Sequence, residues 1–198
     1  HEYLIDFPNK QDVLRYVLTA NAPETKDSDF TWKDFQIKNN SELVAILGNF
    51  VNRTVVLTAK FFEGKVPEIG ELTPIELSTI ENIKALPVQI SNAVSNYKFR
   101  EALAGMMEMA RIGNKYLAET EPWKLIKEDP ERVKTILNLS AQIVANVAIM
   151  AEPFLPFTSK KLFAQFNASL WNLETTIPQW ADTGKVDLVK AGTEIKQG

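Results

Sequence analysis

The sequence predicts an all-α protein, an antiparallel helical bundle of four or five long helices with short connections. Three observations support this fold class. Apolar residues recur at spacings of three and four over several long segments, as they do on the buried side of a helix. Prolines and capping residues mark where these segments begin and end. The alternation of apolar and polar residues that is typical of β-strands never extends beyond a few positions.

The first predicted helices lie before residue 63. One helix is expected from Gln11 to Ala20, and the segment from Asn21 to Thr25 ends it, because a proline restrains the residue before it. A long helix is expected from about Thr31 to Phe62. Its apolar stripe consists of Leu43, Leu47, Phe50, Thr54, Leu57 and Phe61.

The remaining helices follow clear start signals. Thr73, Pro74 and Glu76 begin a helix that runs toward Tyr97, and Pro87 inside it is expected to kink or split it. Further helices are expected over Phe99 to Leu117, after Pro122, after Asp129-Pro130 as far as Ala151, and over Ser159 to Phe166. Beyond Ala168 the periodicity fades, and the polar residues 183–198 indicate a linker or an edge.

Composition restricts the functions that this chain can have. Its 198 residues suffice for one sizeable domain, and 45% apolar with 24% charged residues is typical of a soluble globular protein. Cysteine is absent and the single histidine is His1, which excludes a disulfide scaffold, a histidine-based triad and a multi-histidine metal site. The net charge of −3 argues against RNA binding through a basic face, so any RNA binding must use a local site, with a partner domain contacting the phosphates.

The sequence also lacks the motifs of several enzyme classes and of membrane proteins. No glycine-rich phosphate loop, Gly-Lys-Ser/Thr motif or nucleophile elbow occurs. The acidic groups around Glu24 and Asp129 lie beside turn residues, where capping and solvation explain them. No signal peptide and no run of about 18 apolar residues is visible, so we expect a cytoplasmic protein with no membrane partner.

The first candidate site residues are Asn49 and Arg53, which share one helix face because they are four residues apart. This face is rotated away from the apolar stripe and lies beside Gly48. Arginine offers a planar fork of donors that also stacks on a base, and asparagine offers a donor and an acceptor that match a base edge. The alternative is that both are exposed surface residues with no binding function.

The second group of candidates lies about seventy residues later. Trp123 follows Pro122 at a helix start, and indole is a strong stacking platform for an unpaired base. The alternative is a core tryptophan between two helices, which we expect for Trp32, Trp171 and Trp180. Asn114 is placed either to point across the bundle toward Trp123 or to hydrogen-bond a neighbouring helix.

Three runs together resemble a known family. They are Asn49-Phe50-Val51-Asn52-Arg53, Asn114-Lys115-Tyr116 leading into Glu121-Pro122-Trp123-Lys124, and Ala151-Glu152-Pro153-Phe154-Leu155-Pro156. From about Leu14 to Phe166 the chain is similar to the C-terminal helical domain of the methionyl-tRNA synthetases, a class I family. The resemblance implies an anticodon-binding domain over residues 31–166. It makes residues 1–30 the join to a catalytic domain and residues 167–198 a C-terminal extension or linker.

The resemblance implies recognition of the CAU anticodon of methionine tRNA. In that family the residue matching Trp123 stacks on an anticodon base, those matching Asn49 and Arg53 hydrogen-bond the bases, and those matching Pro122 and Asn114 shape the pocket. The family's His-Ile-Gly-His-like and Lys-Met-Ser-Lys-Ser-like motifs are absent from this sequence. We therefore expect no catalytic residue, cofactor or metal in this chain, which should be inactive alone.

The parent protein is then expected to be an ATP-dependent methionine–tRNA ligase that uses ATP with magnesium. Its catalytic domain would lie in cis outside this chain, along with a structural zinc where one is present. A homodimer through a further C-terminal module is also compatible with the family.

Two other functions remain open from the residues. A helical module that binds another protein is favoured by the negative charge and would show an exposed apolar groove. A sister synthetase specific for isoleucine, valine, leucine or cysteine would share the bundle. Such relatives need not carry Asn49, Arg53 and Trp123 together, so these three residues favour methionine.

Overall fold

The computed structural model describes residues 2–25, 27–166 and 179–196. The regular secondary structure of these residues is helical, which confirms the all-α fold class. An isolated β-bridge joins Lys65 and Glu194. The α-helices are α1 (Glu2–Asp6), α2 (Gln11–Ala20), α3 (Trp32–Lys38), α4 (Asn49–Phe62), α5 (Pro74–Ser95), α6 (Phe99–Thr120), α7 (Pro122–Leu125), α8 (Pro130–Ala151) and α9 (Pro156–Gln165).

Helix α8 is the centre of the bundle. Every residue from Thr135 to Ala151 is buried, and α4, α5, α6, α7 and α9 all contact this helix. It begins where the sequence predicts, because the side chain of Asp129 accepts a hydrogen bond from the backbone N–H of Arg132 at 2.9 Å. The antiparallel neighbours α5 and α6 are joined by a short turn and form the most extensive helix contact.

The long helix expected from Thr31 to Phe62 is present, but its middle is not α-helical. Residues Asn39–Gly48 form a π-helical segment between α3 and α4, and the backbone stays helical across both joins. Because π-helical bonds run from residue i to i+5 instead of i+4, each turn holds more residues than an α-helical turn, which changes the faces that the two flanking helices present. Helix α4 ends at Phe62, and the next residue, Glu63, is left-handed with a φ of 53°.

Two other start and stop predictions have clear outcomes. Helix α5 begins with a capping box between Thr73 and Glu76, as expected. Pro87 lies inside α5 without splitting it. At the start of α6, the carboxylate of Glu24 accepts a hydrogen bond from the backbone N–H of Arg100 at 2.8 Å, so capping does explain this acidic residue.

The described part of the C-terminal segment packs on α8, unlike the linker or edge that its polar composition predicts. Leu188, Val189 and Ile195 are buried. Two side chains of α8 bind its backbone: Gln142 exchanges hydrogen bonds with Val189 N and O, and Asn146 with Gly184 N and Lys185 O. These bonds satisfy buried polar groups on both sides, so residues 179–196 form part of the bundle.

One of the three tryptophans that were expected in the core is exposed. Trp32 is 57% exposed, so the prediction of a core tryptophan is wrong there. It lies in an aromatic cluster with Tyr3, Phe7, Phe30 and Phe35, whose ring centroids are 5.2 to 6.3 Å apart. Trp180 is half-buried against the core, and Trp171 lies outside the described residues.

Two helical stretches are long and apolar enough to span a membrane by length and composition alone. They are Trp32–Phe62, with a mean hydropathy of 1.2 over its most apolar window, and Pro130–Ala151, with 1.4. In the second stretch 94% of that window is buried in the bundle, as expected for the core helix of a globular domain.

Candidate functional site

The first half of the site comes from the start of α4. Asn49 is its first residue and is exposed, and Arg53 lies one turn later and is half-buried. The guanidinium carbon of Arg53 lies over the indole ring of Trp123, 4.7 Å from the ring centroid. This is a cation–π geometry, and it brings together two side chains from separate elements.

The amide of Asn114 fixes the orientation of Asn49. The Nδ2 of Asn114 donates to the carbonyls of Ile46 at 2.9 Å and Ala110 at 3.1 Å, so its Oδ1 must face the other way. That oxygen accepts a hydrogen bond from Asn49 Nδ2 at 3.0 Å. Asn49 is left with its Oδ1 acceptor and its second N–H. Of the two orientations expected for Asn114, the structure shows bonding to the neighbouring helical segment.

A close contact between α4 and α6 lies directly beneath these two amides. Phe50 is fully buried, and an added Cβ at Gly113 would lie 2.3 to 2.6 Å from its ring. Only glycine fits at this position. Phe50 follows Asn49 and Gly113 precedes Asn114, so this contact sets the distance across which the amides meet.

Backbone geometry presents Trp123 to solvent. Glu121 ends α6 in a left-handed conformation, with φ of 41°, and the buried Pro122 then begins α7. The next residue, Trp123, is 36% exposed, so the ring is anchored by neighbours yet accessible. Lys124 forms an ion pair with Glu121 at 2.7 Å on the same turn.

The structure therefore brings four of the five predicted site residues together at the surface, and the fifth, Pro122, is buried directly before Trp123. Asn49 contacts Asn114, Arg53 contacts Trp123, and Asn49 and Arg53 are on successive turns of α4. Within the part of the chain described, no group of three or more His, Cys, Asp or Glu side chains is arranged to hold a metal ion.

A large groove of about 1410 Å³ runs along the adjoining face of α4, toward α2 and α9. Val44 and Val56, which line it, are 58% and 50% exposed. Asn49 borders both the groove and the site. This is the kind of groove expected of a protein-interaction module.

The sequence alone did not identify the residues that support the site. Phe50 appeared only as part of an apolar stripe, and Gly113 gave no signal. The hydrogen-bonded network of Glu76, Tyr116 and Arg132 was missed because these residues are far apart in the sequence and lie on three different helices. Its one sequence signal was the capping box at Thr73 and Glu76.

Two family models match the chain, and both describe aminoacyl-tRNA synthetases. The family model for the anticodon binding domain of methionyl tRNA ligase matches residues 66–197, and the model for class I tRNA synthetases (M) matches residues 2–55. The chain therefore belongs to the methionyl-tRNA ligase family. Asn49 and Arg53 lie in the second match and Asn114, Pro122 and Trp123 in the first, so the site lies where the two matched segments meet.

Similar proteins agree with this assignment. The chain is 57% identical over 197 residues to the methionine–tRNA ligase of Bacteroides fragilis (strain YCH46), covering 100% of this chain and 28% of that protein. It is 59% identical over 193 residues to the Porphyromonas gingivalis (strain W83) ligase, covering 97% and 27%. The chain thus spans little more than a quarter of these relatives.

Solved structures show the same fold. Free-state methionyl-tRNA synthetase of Mycobacterium tuberculosis aligns with a TM-score of 0.81 at 22% identity, covering 94% of this chain and 37% of that chain. The same enzyme in complex with methionyl-adenylate also gives a TM-score of 0.81. The two family matches extend beyond residues 14–166, the range of the resemblance, and both name the methionyl family, not a sister synthetase.

Proposed function

We propose that this chain recognises the CAU anticodon of methionine tRNA within a methionine–tRNA ligase. The observation that carries the proposal is the Arg53–Trp123 pair, open to solvent beside the oriented amide of Asn49. Unpaired bases are recognised by stacking on aromatic rings and by hydrogen bonds to their exposed edges. The site offers both kinds of contact, with the hydrogen-bonding residues one turn apart on α4 and the stacking ring on α7.

Stacking on Trp123 supplies the base-binding surface. Arg53 already holds the ring in place from one side, which reduces the freedom lost when a base binds. A base that stacks on the exposed part of the indole gains about 1–3 kcal/mol. Pro122 is buried and fixes the direction from which the ring is presented.

The hydrogen-bonding pattern of Asn49 supplies selectivity. Because its Nδ2 is engaged by Asn114, its Oδ1 is free to accept a hydrogen bond from an exocyclic amine. Cytosine and adenine, two of the three bases of CAU, carry such an amine, and uracil does not. Arg53 adds donors that match base carbonyls and ring nitrogens.

The remaining activities belong to the part of the ligase outside this chain. The net charge of −3 means that other parts must contact most of the phosphates. We assign methionine activation with ATP and magnesium, and a structural zinc where one is present, to a catalytic domain in cis. The exposed aromatic cluster around Trp32 lies within residues 2–55, the part matched by the class I synthetase model, and is suited to contact that domain. We further propose a cytoplasmic ligase, with any homodimer formed through a later module.

The test is a titration of this chain with methionine tRNA and with a variant altered at the first anticodon base. The proposal predicts tighter binding of the CAU form at equal salt concentration. Equal weak binding of both forms would overturn it. A second candidate, a protein-interaction module, is favoured by the groove along α4. For that function Val56→Lys should abolish partner binding, whereas our proposal expects this variant to keep wild-type anticodon selectivity.

A further inference from the structure

We propose that Glu76 is the positioning residue for Trp123, because it anchors both ends of the segment that carries this ring. The role rests on the proposed anticodon function. Glu76 lies in the first turn of α5, away from the connection between α6 and α8 that bears Trp123, and its side chain is fully buried.

One carboxylate oxygen of Glu76 binds both ends of that connection. Its Oε1 accepts hydrogen bonds from Tyr116 Oη at 2.6 Å and from Arg132 Nη2 at 2.5 Å. Tyr116 lies in the penultimate turn of α6, seven residues before Trp123, and Arg132 lies in the first turn of α8, nine residues after it. A shared acceptor holds the two donors at a fixed separation, and therefore fixes the span of the connection between them.

The other carboxylate oxygen is held by the start of α5. Oε2 accepts from Thr73 N at 2.9 Å and Thr73 Oγ1 at 2.6 Å, so the carboxylate cannot rotate without breaking the capping box. The Glu76 carboxylate therefore links helices α5, α6 and α8 through hydrogen bonds. Both oxygens of the Glu76 carboxylate are hydrogen-bonded, whereas the buried Arg132 Nη1 has no hydrogen-bond partner among the described residues. Buried charged groups specify one arrangement of their neighbours in several protein systems.

The charge state of the network is fixed at neutral pH. Burial raises the pKa of Glu76, but hydrogen bonds from Arg132, Thr73 and Tyr116 outweigh it, and the net pKa is below the ordinary value. Burial and the bond to Glu76 raise the pKa of Tyr116, so its hydroxyl stays a donor. Glutamine at position 76 keeps the volume but removes the charge, and its NH2 group faces donors instead of acceptors.

A double-mutant cycle tests the proposal. Glu76→Gln, Trp123→Ala and the double variant are titrated with a CAU anticodon stem-loop, with folding checked by circular dichroism. Glu76→Gln is expected to weaken CAU binding by roughly 3- to 30-fold in the wild-type background and to have no further effect when Trp123 is already alanine. Tyr116→Phe removes only one of the anchoring bonds and should give a smaller loss with the same dependence on Trp123.

The control is Asp12→Asn on α2. Asp12 is also a buried carboxylate, and it accepts hydrogen bonds from Thr158 N and Oγ1 at the start of α9. This variant is expected to lose stability and to bind the CAU stem-loop as the wild type does. A merely structural role of Glu76 would give the same result as Asp12→Asn.

The outcomes separate this inference from the proposed function. If Trp123→Ala weakens CAU binding but Glu76→Gln and Tyr116→Phe do not, the positioning role is overturned and the proposed function stands. An effect of Glu76→Gln that persists in the Trp123→Ala background also overturns the positioning role. If Trp123→Ala leaves CAU binding unchanged, the proposed function fails and the positioning role fails with it.

Discussion

The guanidinium of Arg53 lies over the indole of Trp123, with 4.7 Å between Arg53 Cζ and the ring centroid. The two residues are seventy positions apart in the chain, on α4 and α7. A cation over an aromatic face contributes about 0.5–1 kcal/mol at an exposed site. The pair therefore favours one orientation of the ring before any ligand arrives, while 36% of the residue's surface stays exposed.

Replacing Trp123 by alanine should reduce anticodon binding much more than stability. The loss of a base stack is expected to cost about 1–3 kcal/mol of binding, whereas the partial exposure of the ring limits the change in melting temperature. Trp32→Ala is the matched control, since Trp32 is also an exposed tryptophan but lies in the other aromatic cluster. Tm and stem-loop affinity are measured for both variants. A large drop in Tm for Trp123→Ala would show that the ring mainly stabilises the hydrophobic core.

Replacing Asn114 by alanine should reduce the selectivity of the site. Without Asn114 Oδ1 the amide of Asn49 is free to turn over, so it offers a donor or an acceptor to the base. The ratio of affinities for the CAU stem-loop and a variant with a different first base is expected to fall toward one. The loss of stability should be modest, about 1 kcal/mol.

Asn146→Ala is the control for this prediction. Asn146 is a fully buried asparagine on α8 that binds Gly184 N and Lys185 O. Its loss should cost about 1–3 kcal/mol of unfolding free energy and leave the selectivity ratio unchanged. An unchanged ratio in Asn114→Ala would contradict the orienting role of that amide.

Gly113→Ala should separate α4 from α6. The new methyl group would overlap the fully buried Phe50 ring, so the ring or the helices must shift at a cost of about 1–3 kcal/mol. Asn49 and Arg53 flank the displaced region, so anticodon binding should weaken as well. Denaturant unfolding measures the first effect and stem-loop titration the second.

The comparison variant is Gly48→Ala. A methyl group there has Leu43 O as its nearest neighbour, at 3.2 Å, and the backbone is helical. This contact is tight, so the backbone must shift by a few tenths of an ångström. Alanine is the better helix former, so the loss of stability is expected to be smaller than for Gly113→Ala. Equal stability of Gly113→Ala and Gly48→Ala would show that the contact with Phe50 is not tight.

The stability of the fold should depend on pH through Glu76. Burial raises the pKa of Glu76, but bonds from Arg132, Thr73 and Tyr116 bring the net folded pKa below its ordinary value of 4.5. The ionised carboxylate therefore stabilises the fold fully above about pH 4.5, and this contribution is lost as the pH falls through the folded pKa. The wild type should lose unfolding free energy more steeply between pH 5 and 3 than Glu76→Gln, with both followed by urea unfolding. Parallel curves would contradict this assignment, since Asp34 and Asp182, whose pKa values are also lowered, titrate in both proteins.

The sequence predicted the helices well where local signals were strong. Capping residues and prolines marked the starts of α5 and α8, and apolar periodicity gave α6. The π-helical segment was missed because its bonding departs from the α-helical period on which the prediction relies. The packing of residues 179–196 was also missed, because Leu188, Val189 and Ile195 show no periodicity and are held by amides of α8.

In the site, too, the local features could be predicted from the sequence and the contacts between distant residues could not. The spacing of Asn49 and Arg53 was enough to place them on one face of a helix. Residue type alone did not distinguish the exposed Trp32 from a core tryptophan, since burial depends on partners far away in the chain. The contacts of Asn114 with Asn49 and of Arg53 with Trp123 required the structure, because each joins different helices.

The most direct test of base stacking on Trp123 uses a stem-loop with a fluorescent base analogue placed in turn at each anticodon position. Stacking against indole quenches the fluorescence of such an analogue. Wild-type protein should therefore strongly reduce the fluorescence at one anticodon position, and Trp123→Ala should leave the fluorescence at that position unchanged. Quenching that is equal for wild-type and Trp123→Ala protein, or absent at all three positions, would contradict the account.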